Sequence, residues 1–301
     1  MTKYITSDEQ LRKIIPNAFA QNIPGAQSFF DKILPFIEGA ESWIEENITG
    51  PSFESSTVIK EKIECLVAVM AYRDALPSID VVVSHNGVGV VETNTLKPAS
   101  KAKMDALDKN LTRLVDNYIC ELISYLQYEE EWSLSPKAGL FMDYILDNPL
   151  HVKSFRVPEA IEFRNILERY DFFRPVMTSI QDQIANEWIS RDILNLILLF
   201  KREARLLTER IKAKFGEYKD CEIQTINEIT SLIRQAIFAT ILRNEGLYDP
   251  MFRDIKSPLE LAVQKITGCK PLSKIWARTS TARFFKYKGF LNKKDSTAYW
   301  F

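Results

Sequence analysis

The stretch Pro77-Ser-Ile-Asp-Val-Val-Val-Ser-His-Asn-Gly-Val-Gly-Val-Val-Glu92 separates two long helical patterns and decides how the chain is read. Asn86-Gly87 stands between two valine-rich runs, and Asn-Gly suits a type I′ turn, whose two central residues need positive φ. The spacing predicts a β-hairpin near residues 79–92 inserted into a mainly α-helical protein built of one or more helical bundles. So small a hairpin cannot form the main core, which makes it an edge element able to pair with another chain.

Outward from the hairpin, the helices are marked by apolar spacing. Toward the C-terminus, residues 99–127 carry Met104, Leu107, Leu111, Leu114, Val115, Tyr118, Ile119, Leu122 and Leu126 as one apolar stripe. Toward the N-terminus, residues 57–76 place Ile59, Ile63, Leu66, Val67 and Met70 on one side, with Pro77 expected to end the helix. A further helix at 28–48 shows Ile33, Leu34, Ile37, Ala40, Trp43, Ile44 and Ile48 at the same periodicity, with Pro35 expected to kink or split it. Thr6-Ser-Asp-Glu9 has capping-box form for a short helix reaching Ile15.

Beyond residue 150 the pattern is again helical, with candidates at 159–169, 172–187, 190–214, 222–244 and 257–267. The domain reading is an N-terminal helical domain with the hairpin at 1–150, a C-terminal helical domain at 151–270, and an extended basic, aromatic arm at 271–301. Phe30 to Ile44 loosely resembles Phe173 to Ile189, each with a proline near its start and Trp-Ile at its end. An ancient duplication and two ordinary amphipathic helices both account for that likeness.

At 301 residues and 46% hydrophobic, the chain can bury a substantial core. No apolar run approaches the roughly 18 residues of a membrane span, and the first residues lack the basic and apolar regions of a secretory leader. Cys65, Cys120, Cys221 and Cys269 lie far apart, as expected for reduced, mostly buried thiols. The net charge of −1 hides an uneven distribution. Residues 1–150 hold 13 Lys and Arg against 22 Asp and Glu, and residues 151–301 hold 26 against 18. Lys270, Lys274, Arg278, Arg283, Lys286, Lys288, Lys293 and Lys294 occur with no acid between 270 and 294, a field that favours an acidic surface or nucleic-acid phosphate.

Motifs for catalysis are lacking. His85 and His151 are the only histidines, too few for a histidine-rich metal site, and His85 reads as a turn residue. Gly87-Val-Gly89 lacks the third glycine and following helix of a dinucleotide loop. Phosphate-binding loops, nucleophile elbows and zinc-protease helices have no counterpart. Glu38, Glu41, Glu45 and Glu46 read as a solvated helix face. Lys201, Arg202, Arg205, Arg210, Lys212 and Lys214, interleaved with Glu203 and Glu209, read as an exposed mixed face. The expectation is a protein that is not an enzyme and needs neither cofactor nor metal.

Cations and aromatics interleave through Trp276, Arg283, Phe284, Phe285, Tyr287 and Phe290, and the chain ends in Tyr299, Trp300 and Phe301. That mixture serves either an arm docked on another subunit or a stacking platform for single-stranded nucleic acid. Together with Val81, Val83, Asn86, Gly87, Val88 and Val90 of the hairpin, these residues form the expected assembly interface.

Residues 76–91, followed by Leu96-Lys-Pro-Ala-Ser-Lys and Met104-Asp-Ala-Leu, resemble the central motif of an uncharacterised family from Bacteroides phages and prophages. The close resemblance covers about 35 residues. It implies a structural virion protein of the head–tail connector or adaptor type, located in the virion and assembled in the host cytoplasm. Such adaptors form a ring, commonly of about twelve copies, beside the portal. The implied partners are further copies of itself, the portal, other connector or tail proteins and DNA in the lumen, with no membrane. This chain is larger than the usual small adaptor. The competing expectation is a nucleic-acid-binding accessory protein using the basic C-terminal segment.

Overall fold

The computed structural model describes residues 2–15, 28–51, 53, 56–79, 81–84, 87–90, 100–206, 220–244 and 255–282. The fold is mainly α-helical. Two compact units divide the chain: residues 1–138 with 148–150 and 163–169, and residues 139–147, 151–162 and 170–301.

The first unit opens with α1 (Asp8–Ile14), where the Ser7 hydroxyl accepts the Gln10 N–H and the Gln10 side chain accepts the Thr6 N–H. The cap therefore sits one residue later than the expected Thr6–Glu9 box. Next come α2 (Phe29–Ile44) and α3 (Thr57–Ile79), then β1 (Val81–Ser84) and β2 (Gly87–Val90), α4 (Lys101–Leu126) and α5 (Glu130–Ser133). α2 packs on α3 and α3 on α4. Ile33, Ile37 and Ile44 meet Ile63, Leu66 and Val67 in this core, with Val115, Ile119 and Leu122 from α4, all fully buried. Each such side chain contributes about 1.5–3 kcal/mol by leaving water.

Prolines at 35 and 77 interrupt less than expected. Pro35 stays inside α2, and Pro77 stays inside α3, which ends two residues further on at Ile79. A proline in the last turn removes one hydrogen bond of a helix about to stop, so the break costs little there. The 28–48 candidate divides later, where α2 passes at Glu45–Thr49 into one π-helical turn. The Gly50 N–H bonds the Glu45 carbonyl at 2.9 Å, and Gly50 leaves with φ 88° and ψ 156°.

α6 (Pro136–Met142) carries the chain into the second unit. Residues 159–165 are not helical. Asn165 Oδ1 accepts the Leu167 and Glu168 N–H groups, and one helix, α7 (Ile166–Ile184), replaces the expected pair at 159–169 and 172–187. α7 contains Pro175 and also closes in a π turn, Ala185–Ile189, after which Ser190 has φ 72° and ψ 152°. Then follow α8 (Arg191–Leu206), α9 (Asp220–Asn244), α10 (Lys256–Gly268) and α11 (Lys270–Trp276). Phe155 stands edge-on to Phe173 at 5.1 Å and to Phe238 at 5.3 Å in this unit's core. α11 belongs to the second unit, so the segment expected as an arm from 271 starts as packed helix.

Candidate functional site

β1 and β2 pair antiparallel in the connection between α3 and α4, with Val81 opposite Val90, Val83 opposite Val88, and Ser84 opposite Gly87. Asn86 lies outside the described residues. Among those described, no third strand joins the ladder. Within the described residues both strands are edges, and the edges of a two-stranded ladder carry main-chain donors and acceptors suited to strand addition.

The opposite end of the same helix pair has a different surface. Ser56 Oγ donates to Glu129 Oε1 at 2.9 Å and Lys62 Nζ pairs with Glu121 at 2.6 Å, so the start of α3 lies beside the end of α4. Lys62 also lies 5.2 Å from the Tyr125 ring centre, and its pair with Glu121 raises its pKa. Around this end, Tyr125, Tyr128, Leu134 and Val58 are exposed, the tyrosines at 41% and 61%. At about 1.5 Å per residue, α3 holds the hairpin and the tyrosine-rich end roughly 30 Å apart.

The second unit buries an ionic cluster that the sequence reading missed. Asp147 Oδ2 accepts from Lys201 Nζ at 2.9 Å, and Asp147 Oδ1 lies 3.6 Å from Arg234 and 3.5 Å from His151 Nε2. Lys201 also donates to the Ile145 carbonyl at 3.2 Å, and the Tyr170 hydroxyl donates to the Leu146 carbonyl at 2.7 Å. Burial, then the nearby Asp147 charge, pushes the Tyr170 pKa well above its ordinary value. Lys201 was expected on an exposed face. Its helix buries Ile193, Ile197 and Phe200, and the next position, 201, continues that stripe inward. The cluster binds cations and carbonyls of its own chain and holds residues 145–147 in place.

Glu41 also departs from the solvated face expected of it. It is buried, and its carboxylate accepts the Lys3, Tyr4 and Ile5 N–H groups at 2.8, 2.7 and 3.2 Å. The signal in the sequence was its spacing: position 41 adjoins the apolar positions 37, 40 and 44.

Of the expected interface, Val81, Val83, Gly87, Val88 and Val90 lie on the strands. Trp276 is buried within its own unit at 6% exposure and is no surface anchor. Leu272, four residues earlier on the same helix, is buried as well. Arg283, Phe284, Phe285, Tyr287, Phe290, Tyr299, Trp300 and Phe301 lie outside the described residues. Lys270, Lys274 and Arg278, four residues apart, are exposed.

Among the described residues, the first unit has an open pocket of about 290 Å³ lined by Phe53, Trp132 and Pro136, and the second an open pocket of similar volume lined by Asp143, Asp182 and Arg191. Among the described residues, no group of three His, Cys, Asp or Glu side chains could hold a metal ion, and no helix is long and apolar enough to cross a membrane.

Residues 20–141 match the model of a family described as a family of unknown function (DUF6712). No curated protein and no solved structure matches the chain.

Proposed function

We propose that this chain is a structural subunit of a phage virion, a head–tail connector or adaptor that assembles with copies of itself into a ring beside the portal. The observation that carries the reading is the pair of unlike ends on the α3–α4 pair, the strand edges of β1 and β2 at one and the exposed Tyr125 and Tyr128 at the other. A ring needs such a heterologous contact, in which one face of a subunit meets a different face of its neighbour. Strand addition at the hairpin supplies direction, and aromatic side chains supply anchors. The likeness of residues 76–107 to a phage family points the same way. In this role the protein is not an enzyme, its partners are its own copies, the portal and neighbouring tail proteins, and its place is the virion. Negative-stain microscopy of the full chain across a concentration series tests the reading. Closed rings that accumulate with concentration are expected, and single chains at every concentration would contradict it.

A second reading, nucleic-acid binding, draws on the exposed Lys270, Lys274 and Arg278. Its mark is DNA affinity that falls steeply with salt.

A further inference from the structure

We infer that the chain is an internal duplication, in which residues 4–138 and 144–282 are two copies of one folding module. This goes beyond the assembly reading and does not depend on it.

A shift of 140 positions carries Pro35 onto Pro175, and the surroundings follow in register. Each proline lies inside a helix that ends in a five-residue π turn, Glu45–Thr49 and Ala185–Ile189. Each π turn is followed by a residue with positive φ and extended ψ, Gly50 at 88° and 156° and Ser190 at 72° and 152°. These are the two positive-φ residues among those described. A π-helical turn is an uncommon structure, and non-glycine residues seldom take positive φ, so their recurrence at one step of two helices is poorly explained by chance. The buried positions coincide as well: Ile33, Ile37, Ala40 and Ile44 against Phe173, Met177, Ile180 and Ile184.

The same shift relates two tertiary clips. It takes Glu41 to Gln181, both buried polar residues on otherwise apolar faces, and takes Tyr4-Ile5 to Tyr144-Ile145. Glu41 Oε1 accepts the Ile5 N–H, and Gln181 Oε1 accepts the Ile145 N–H, each across a sequence separation of 36. After the π turns the register changes, because six residues present in the first copy before α3 are missing before α8. Ile59, Ile63 and Leu66 of α3 then match Ile193, Ile197 and Phe200 of α8, all buried.

The copies also end alike. The Ser135 N–H bonds the Trp132 carbonyl at 2.9 Å, and the Thr279 N–H bonds the Trp276 carbonyl at 2.9 Å. The Ser135 hydroxyl then accepts the Ala138 N–H at 3.3 Å, and the Thr279 hydroxyl accepts the Ala282 N–H at 3.2 Å. Both tryptophans and both alanines are buried. The family match at 20–141 falls mostly on the first copy.

The differences between the copies are informative. The hairpin occupies the connection at 80–100, whereas the corresponding connection, 207–219, is shorter. Among the described residues, the hairpin lies in the first copy. Asp147 and Lys201 stand where the first copy has Ser7 and Val67, so the buried ion pair belongs to the second copy alone.

Hydrogen exchange read by mass spectrometry on the full chain tests the inference. Glu41→Leu should speed exchange at least tenfold in residues 3–138 with the first unit's 148–150 and 163–169, and leave 151–162 and 170–282 unchanged, and Gln181→Leu should do the reverse. Glu41→Gln, which installs the residue of the other copy, should keep protection within about threefold of wild type. Equal opening by Glu41→Gln and Glu41→Leu, or opening spread over both segments by either leucine variant, would overturn the inference. Should the leucine variants fail to fold, Glu41→Gln alone decides, because loss of protection there denies that the two clips are equivalent.

Discussion

Glu41 and Gln181 hold equivalent places: each lies on a proline-containing helix just before a π turn, and each accepts the backbone N–H of an isoleucine 36 residues earlier. The clip ties the segment entering each module to its first long helix. Buried amides without such a partner would each cost about 1–3 kcal/mol, which explains a polar residue on each otherwise apolar face.

Ser190 takes the backbone conformation that glycine takes at position 50. An L-residue pays about 1–3 kcal/mol for that positive-φ, extended-ψ region, which glycine alone occupies freely. Ser190→Gly should therefore stabilise the chain by about 1 kcal/mol, and Gly50→Val should destabilise it by about 2 kcal/mol or more. Thermal unfolding of the two variants provides the check.

Removing Lys201 takes from the buried Asp147 its 2.9 Å ion pair and leaves Arg234 beside it at 3.6 Å. Lys201→Val should cost about 3 kcal/mol, the low end for a broken buried pair. The double variant Lys201→Val with Asp147→Ser, which reproduces the pair found at 67 and 7, should recover more than half of that loss. A double-mutant cycle in urea measures the coupling.

Tyr170 supplies a pH dependence at the alkaline end. Its pKa is raised in the folded state above an ordinary value of 10.0, so the folded chain holds the proton more tightly than the unfolded one. The stabilisation is complete below pH 10 and is lost as pH rises through the folded value. Tyr170→Phe should lower stability near pH 8 through the lost bond to the Leu146 carbonyl and should flatten the fall above pH 10. Melting temperatures from pH 8 to 11.5 follow both effects.

Helix type and rough extent were legible in the sequence because Ile59, Ile63 and Leu66, or Val115, Ile119 and Leu122, repeat at helical spacing. The two π turns were not, since a five-residue widening of a helix leaves no mark in apolar periodicity. The repeat was visible through Pro35 and Pro175, but pairing Trp43-Ile44 with Trp188-Ile189 set the wrong register. Trp188 lies within its π turn and Trp43 precedes its own, so the two tryptophans are not equivalent. Glu41 and Lys201 were read as solvated because charge was weighed above position, whereas each continues a buried stripe and finds partners in distant backbone.

Burial also fixes where the chain can be shortened. Trp276 and Ala282 are buried in the second unit, so deleting 276–301 should unfold that unit. Deleting 283–301 should leave both units folded, with unchanged circular dichroism, and weaken self-association if Phe284, Phe285 and the terminal Tyr299-Trp-Phe301 dock on a neighbour.

Mass photometry of the wild-type chain, beside a variant with residues 81–90 replaced by a Gly/Ser loop, tests ring assembly most directly. For wild type a discrete high-mass species that grows with concentration is expected, and for the loop variant a folded single chain. A wild-type protein that stays a single chain throughout, or a loop variant that assembles equally well, would contradict the hairpin-directed ring.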